Sequence, residues 1–225
     1  MKKIPLLSIS LIFLSLILFC FSCKKEDIDN VFPVVKILGE NPMEILLNSE
    51  FDDPGAEYWD DVAVYSSRID SDLDVNKIGS YEIDYIVLDE AGNETIATRI
   101  VDVIVDQSSF ESAYGVSDTI SSGPNEGIHN YSSIITPSAS FKNKLLFSNF
   151  AGLGTSYVAI VEFNKIGGLT IPQQLLSETQ DSLSGSGMLA KDGKSIHLDF
   201  SITYKDGSGT DIGKATCLKI DMLEF

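Results

Sequence analysis

Tyr81-Glu-Ile-Asp-Tyr-Ile-Val87 decides the fold. Tyr81, Ile83, Tyr85 and Val87 share one face, and Glu82 and Asp84 point the other way. Strict alternation is the period of a strand with one side buried. Downstream, Asp89-Glu-Ala-Gly-Asn93 is rich in residues that tolerate a left-handed backbone and reads as a turn. Residues 99–105 then alternate again and put Val101, Val103 and Val105 on one side. Upstream, residues 34–38 and 43–47 read as short strands around a Gly39/Asn41-Pro42 turn. Strands at this spacing, with no helical period between residues 33 and 106, predict an antiparallel two-sheet sandwich.

Beyond it, residues 107–130 contain Gln107-Ser-Ser and Ser121-Ser-Gly-Pro-Asn-Glu-Gly127, the composition of a linker. Residues 131–225 form a second unit. Residues 183–190 and 195–204 alternate and flank Lys191-Asp-Gly-Lys194, a strong hairpin signal. Ile196, Leu198, Phe200, Ile202 and Tyr204 occupy one face of the second arm; His197, Asp199, Ser201 and Thr203 occupy the other. A further turn at Asp206-Gly-Ser-Gly209 leads into residues 214–222. Consecutive hairpins predict a meander sheet or small barrel of roughly six strands, buried on one face and wet on the other. The fold class is therefore all-β, an Ig-like sandwich followed by a second antiparallel domain.

The N-terminus sets the location. Lys2 and Lys3 precede an apolar run from Ile4 to Phe21, the order of a secretory leader. An uncleaved helix of that length could instead span a bilayer. The ending Phe21-Ser-Cys23 resembles a bacterial lipobox, which implies cleavage after residue 22 and a lipid on Cys23. Residues 23–32 then form a charged tether, in which Lys25-Glu-Asp27 resembles the acidic export signal of Bacteroides-type lipoproteins. The resemblance implies a lipid-anchored protein of the outer membrane, facing the cell exterior.

The chain carries 33 acidic and 16 basic residues, a net charge of −17. Losing the leader removes two lysines and no acids, which takes the charge to −19. Such a balance excludes nucleic acid as a partner, since phosphates need a basic face. Of three cysteines, Cys20 leaves with the leader and Cys23 takes the lipid, so Cys217 remains as a buried thiol without a disulfide.

Three motifs carry a second resemblance. Phe51-Asp-Asp-Pro-Gly-Ala56, Gly79-Ser-Tyr-Glu-Ile-Asp-Tyr85 and Asp89-Glu-Ala-Gly-Asn93 are similar, in that order, to the bacterial Ig-like domain first named from pesticidal crystal proteins. What this implies is a spacer or binding module. The C-terminal unit resembles domains of Bacteroides-type lipoproteins of uncharacterised role.

The chain departs from the first pattern at Tyr58-Trp-Asp-Asp61, where relatives have small polar residues. An exposed Trp59 or Tyr58 could stack on a sugar ring while Asp60 or Asp61 accepts hydroxyl hydrogen bonds. Trp59 could equally fill the edge of the sandwich core. If a glycan face exists, its aromatics should come from Tyr58, Trp59, Tyr131, Phe150 or Tyr157. A structural or adhesion protein would instead expose an apolar patch or an open sheet edge.

Asp52, Asp53, Asp60, Asp61, Asp70, Asp72, Asp74 and Asp89 supply the hard oxygens that Ca²⁺ takes. Yet residues 70–74 lack the glycine and distal glutamate of an EF-hand loop, so no metal or other cofactor is assigned, with Ca²⁺ on these aspartates as the open alternative to a solvated acidic loop. His129 and His197 have no zinc spacing, and no catalytic base, phosphate loop or nucleophile elbow occurs. No catalytic residue is assigned. The expectation is a non-enzymatic binding module for a glycan, with an adhesion protein that contacts a surface protein as the alternative.

Overall fold

The computed structural model describes residues 29–176 and 179–220; the leader, Cys23 and the start of the tether lie outside the described residues. The first unit contains β1 (Val34–Ile37), β2 (Met43–Leu46), β3 (Ala56–Trp59), β4 (Val64–Ser71), β5 (Gly79–Asp89) and β6 (Glu94–Ile104). β1 and β3 form a two-stranded sheet, and a four-stranded sheet in the order β2-β6-β5-β4 packs against it. The alternation of β5 holds: Ile83, Tyr85 and Val87 are buried, and Tyr81 is half-buried. Ile83, Tyr85 and Val101 form the buried cluster, with Val35, Ile37, Ile45, Phe51 and Leu73 packed around it.

One pairing departs from the antiparallel expectation. β2 runs parallel to β6, from Met43 opposite Val101 to Leu46 opposite Ile104. The corner between β1 and β2 carries the chain from one sheet to the other, so β2 arrives alongside β6 in the same direction. Asn41 fixes this corner. Its side-chain amide donates to the Thr98 carbonyl at 2.9 Å, and the Ile100 amide donates to Asn41 Oδ1 at 2.8 Å.

The second unit is a closed barrel of β7 (Ser112–Ser122), β8 (Gly127–Pro137), β9 (Lys144–Phe147), β10 (Ala159–Phe163), β11 (Gly168–Leu175), β12 (Ser182–Leu189), β13 (Ser195–Thr203) and β14 (Thr210–Lys219). Each strand pairs with the next and β14 returns to β7, so the meander has eight strands rather than six. The hairpin across Asp192-Gly193 forms in the expected register, from Ser182 opposite Thr203 to Leu189 opposite Ile196.

Residues 107–130 are not a linker. They contain a 3-10 turn at Gln107–Ser109, all of β7 and the start of β8. Composition misled here because Ser117 and Thr119 occupy the wet face of β7, whereas Tyr114, Val116, Asp118 and Ile120 point inward and are buried. Inside the barrel, Phe110, Tyr114, Phe147, Phe150, Leu183, Leu198 and Phe200 belong to one apolar cluster. Burying each such side chain contributes roughly 1.5–3 kcal/mol.

Sandwich and barrel share that core at their junction. Ile78 and Val105 are buried members of the barrel cluster, and Leu47 packs against it. The Ile78 amide donates to the Lys191 carbonyl at 2.8 Å and the Val105 amide to the Lys165 carbonyl at 2.9 Å. Gly193 lies in the left-handed region at φ +73°, and a Cβ there would meet Leu47 Cδ2 at 2.6 Å. The positive φ favours glycine, and any side chain would also push Leu47 aside.

Candidate functional site

The motifs of the first unit are consumed by its fold. Arg99, fully buried, places Nε 3.2 Å from Asp53 Oδ1 and 3.1 Å from the Tyr85 hydroxyl. Its remaining nitrogens donate to the carbonyls of Leu38, Glu40 and Gly55. Asp53 also accepts from the Gly55 amide and the Tyr85 hydroxyl. The Asp-Pro-Gly-Ala and Gly-x-Tyr-x-Ile-x-Tyr motifs therefore converge on one satisfied buried guanidinium. Asp89-Glu-Ala-Gly-Asn93 is equally structural: Asp89 Oδ1 accepts from the Asn93 amide at 2.8 Å and Oδ2 from its side chain at 2.7 Å. Burial works to raise the Asp89 carboxyl, but hydrogen bonds from Asn93 and the Gly92 and Ala91 amides hold it below its ordinary value.

The four candidate ligand residues do not form one surface. Neighbours on a strand face opposite ways. On β3, Tyr58 lies opposite Val35, which packs on the core, whereas Trp59 lies opposite the exposed Val34. Tyr58 borders a groove of about 430 Å³ between β3 and β4, also lined by Arg68, Ile69 and Tyr85, and its hydroxyl accepts from Ser67 Oγ at 3.0 Å. Trp59 is 51 % exposed and does not fill the core edge. Asp61 is exposed, whereas the carboxylate of Asp60 is turned inward: both its oxygens are buried. Tyr131, Phe150 and Tyr157 pack on the barrel core, far from Trp59 in the chain's architecture, so the five aromatics make no common platform.

The remaining aspartates go several ways. Asp70 and Asp72 line an acidic groove of about 250 Å³ with Glu82 and Asp84, but Asp72 accepts from the Glu82 amide and Asp84 from Thr98. Asp74 pairs with Lys77 at 2.9 Å, and Asp52 is exposed.

A polar cluster in the barrel escaped the sequence reading. At the end away from the junction, Asp211 on β14 is fully buried and accepts from the Asn125 amide (3.1 Å), the Asn125 side chain (2.9 Å) and Tyr204. His129 Nε2 lies 2.9 Å from the Asn125 carbonyl. These residues border a cavity of about 150 Å³ with Ile120, Leu153 and Ile202. Deeper inside, Tyr131 donates to Asp118 Oδ2 at 2.8 Å, and Asp118 Oδ1 has no partner among the described residues. Burial raises the Asp118 carboxyl to about 6, against the hydrogen bond from Tyr131 and the charge of His129. Burial, with Asp118 adding to it, pushes the Cys217 thiol up to about 12, so it is inert. Most polar atoms of the cluster are spent on holding the β7–β8 loop to β14. The signal that could have found it is an aspartate at an inward position of β7, visible only once residues 112–122 are read as a strand.

Residues 35–103 match the family described as bacterial surface protein, Ig-like domain. That stretch is the Ig-like domain of this chain. It covers the sandwich and ends before β7. The family's surface setting supports a place at the cell envelope. Among solved structures, the crystal structure of the lipoprotein BT2262 from Bacteroides thetaiotaomicron is similar at 19 % identity and a TM-score of 0.34, over 82 % of this chain and 99 % of that one. No curated protein matches.

Proposed function

We propose that this cell-envelope protein is a non-catalytic, lipid-anchored module that displays a glycan-binding surface outside the outer membrane. The observation that carries the reading is Trp59, half exposed on the outward face of β3 opposite Val34. An exposed indole offers a flat apolar face with a polar N–H at its edge, and sugar rings are suited to cover it. Anchoring is through lipid on Cys23, with the Ig-like domain as spacer. The non-catalytic reading is supported by the barrel-end cluster, where carboxylates, tyrosines and asparagine are engaged with one another. The net charge of −17 argues against nucleic acid.

A glycan array probed with the full chain and with Trp59→Ala tests this. Binding to a defined class of glycan, lost in the variant, supports it; a flat array for the wild type removes it. Mass spectrometry of native material should find Cys23 acylated and N-terminal.

A second reading rests on β4. Seven of its eight residues are exposed, Tyr65 and Ile69 among them, and among the described residues no strand pairs with its outer edge. Such an edge can add a strand from another protein. Proline at alternate β4 positions would abolish protein capture under this reading and leave glycan binding intact.

A further inference from the structure

Three carboxylates meet at the end of the sandwich opposite the barrel. Asp29 precedes β1, Asp60 follows β3 and Asp89 ends β5, and one oxygen from each lies within 4.8 Å of the other two. Oxygens that share one Ca²⁺ at about 2.4 Å can be no more than about 4.8 Å apart. The spacing is thus that of a common ligand shell.

Asp60 supplies the second observation. Each of its carboxylate oxygens exposes less than 1 Å², and neither has a hydrogen-bond partner among the described residues. A buried ionised carboxylate without a donor or counter-charge is strongly disfavoured. The described ion pairs of the sandwich are Lys36–Glu57, Arg68–Glu94, Lys77–Asp74 and Arg99–Asp53, and none reaches this cluster. Among the described residues, three acids converge, one is orphaned, and no cation pairs with them.

We propose that Asp29, Asp60 and Asp89 bind Ca²⁺, which clamps the segment leading into β1 onto the end of the Ig-like domain. Asn93 prepares the place: its side chain donates to Asp89 Oδ2 at 2.7 Å and to the Val31 carbonyl at 3.0 Å, so turn and strap are already in register. Hard oxygens alone exclude a zinc preference, which calls for nitrogen or sulfur. Ligands from three separate segments suit Ca²⁺, with its flexible geometry, better than Mg²⁺, which demands a near-ideal octahedron. Water completes the shell. The inference does not rest on glycan binding, although Asp60 directly follows Trp59 in the chain.

The test is thermal unfolding of the full chain, followed by Trp59 fluorescence, in EDTA and in millimolar Ca²⁺ or Mg²⁺. Ca²⁺ at about ten times its dissociation constant should raise the sandwich midpoint by about 6–11 °C, and Mg²⁺ should not match it. Asp60→Asn should raise the midpoint in EDTA, because it relieves repulsion, and abolish the Ca²⁺ response. Asp29→Asn, on the strap, should weaken Ca²⁺ at least tenfold with little change in EDTA. Asp70→Asn, in the acidic groove, should keep the full response. An identical wild-type midpoint in EDTA and Ca²⁺ overturns the proposal. So does a response that survives Asp60→Asn and Asp29→Asn, or one that Asp70→Asn also removes.

Discussion

At the centres of their cores, the two halves of this molecule bury charge in opposite ways. In the Ig-like domain Arg99 is sealed inside with Asp53, Tyr85 and three carbonyls, and its donors are answered. In the barrel Asp118 is sealed inside with one hydroxyl and an idle oxygen. Their apolar cores differ in the same sense. The sandwich cluster centres on Ile83, Tyr85 and Val101, whereas the barrel's runs through every strand. At its centre the small sandwich holds an answered charge, whereas the larger barrel core carries a half-satisfied acid as a tolerated cost.

The most forceful way to break this contrast is Arg99→Ala. It strands Asp53 and frees three carbonyls, so the sandwich should lose about 3–5 kcal/mol. Trp59 is the sole tryptophan, so its fluorescence in urea reports the sandwich alone, and labelling of buried Cys217 reports the barrel. A barrel that unfolds along with the sandwich would mean that the junction, not the keystone, sets stability.

Asp118→Asn should act with opposite sign. The folded barrel holds this carboxyl near 6 against an ordinary 3.8. Between about pH 4 and 6 the unfolded chain has lost a proton that the barrel keeps, so stability falls as pH rises through that window and stays low above it. The penalty at neutral pH is at most about 3 kcal/mol. The asparagine variant should be more stable at pH 7 by up to that amount and flat across the window, as read by urea midpoints at half-unit steps. An unchanged slope would place the titration elsewhere.

Gly193→Ala tests the seam between the halves. Positive φ and the approach of Leu47 should together cost about 1–2 kcal/mol. Protection of the Ile78 and Val105 amides against exchange should fall first. Smallest of all, Trp59→Ala should change stability by less than about 0.5 kcal/mol, as for an exposed site, while the glycan signal disappears.

What the sequence made legible follows the same division. The alternation of residues 81–87 and 195–204 survives folding because each strand has one wet face, and local period is enough to see it. Asp53, Gly55 and Tyr85 were visible as a motif because the polar keystone constrains them. Arg99 was not, since the carbonyls it serves lie 44 to 61 residues away. In the barrel, β7 was hidden by its serines and threonine, and with it went the closure onto β14 and the inward aspartate. Trp59 was legible as a departure from the family pattern, but its exposure depends on strand parity set by pairing with β1.

The junction has a mechanical consequence. β6 reaches the barrel through one short 3-10 turn, and main-chain bonds at Ile78 and Val105 bolt both sides of the crossing. The molecule is a strut without a swivel: the barrel rim bearing Asn125 and His129 stands at a fixed reach and bearing from the end of the sandwich that carries Asp89. Load applied at that rim travels as shear along the paired strands, the direction in which such ladders resist best.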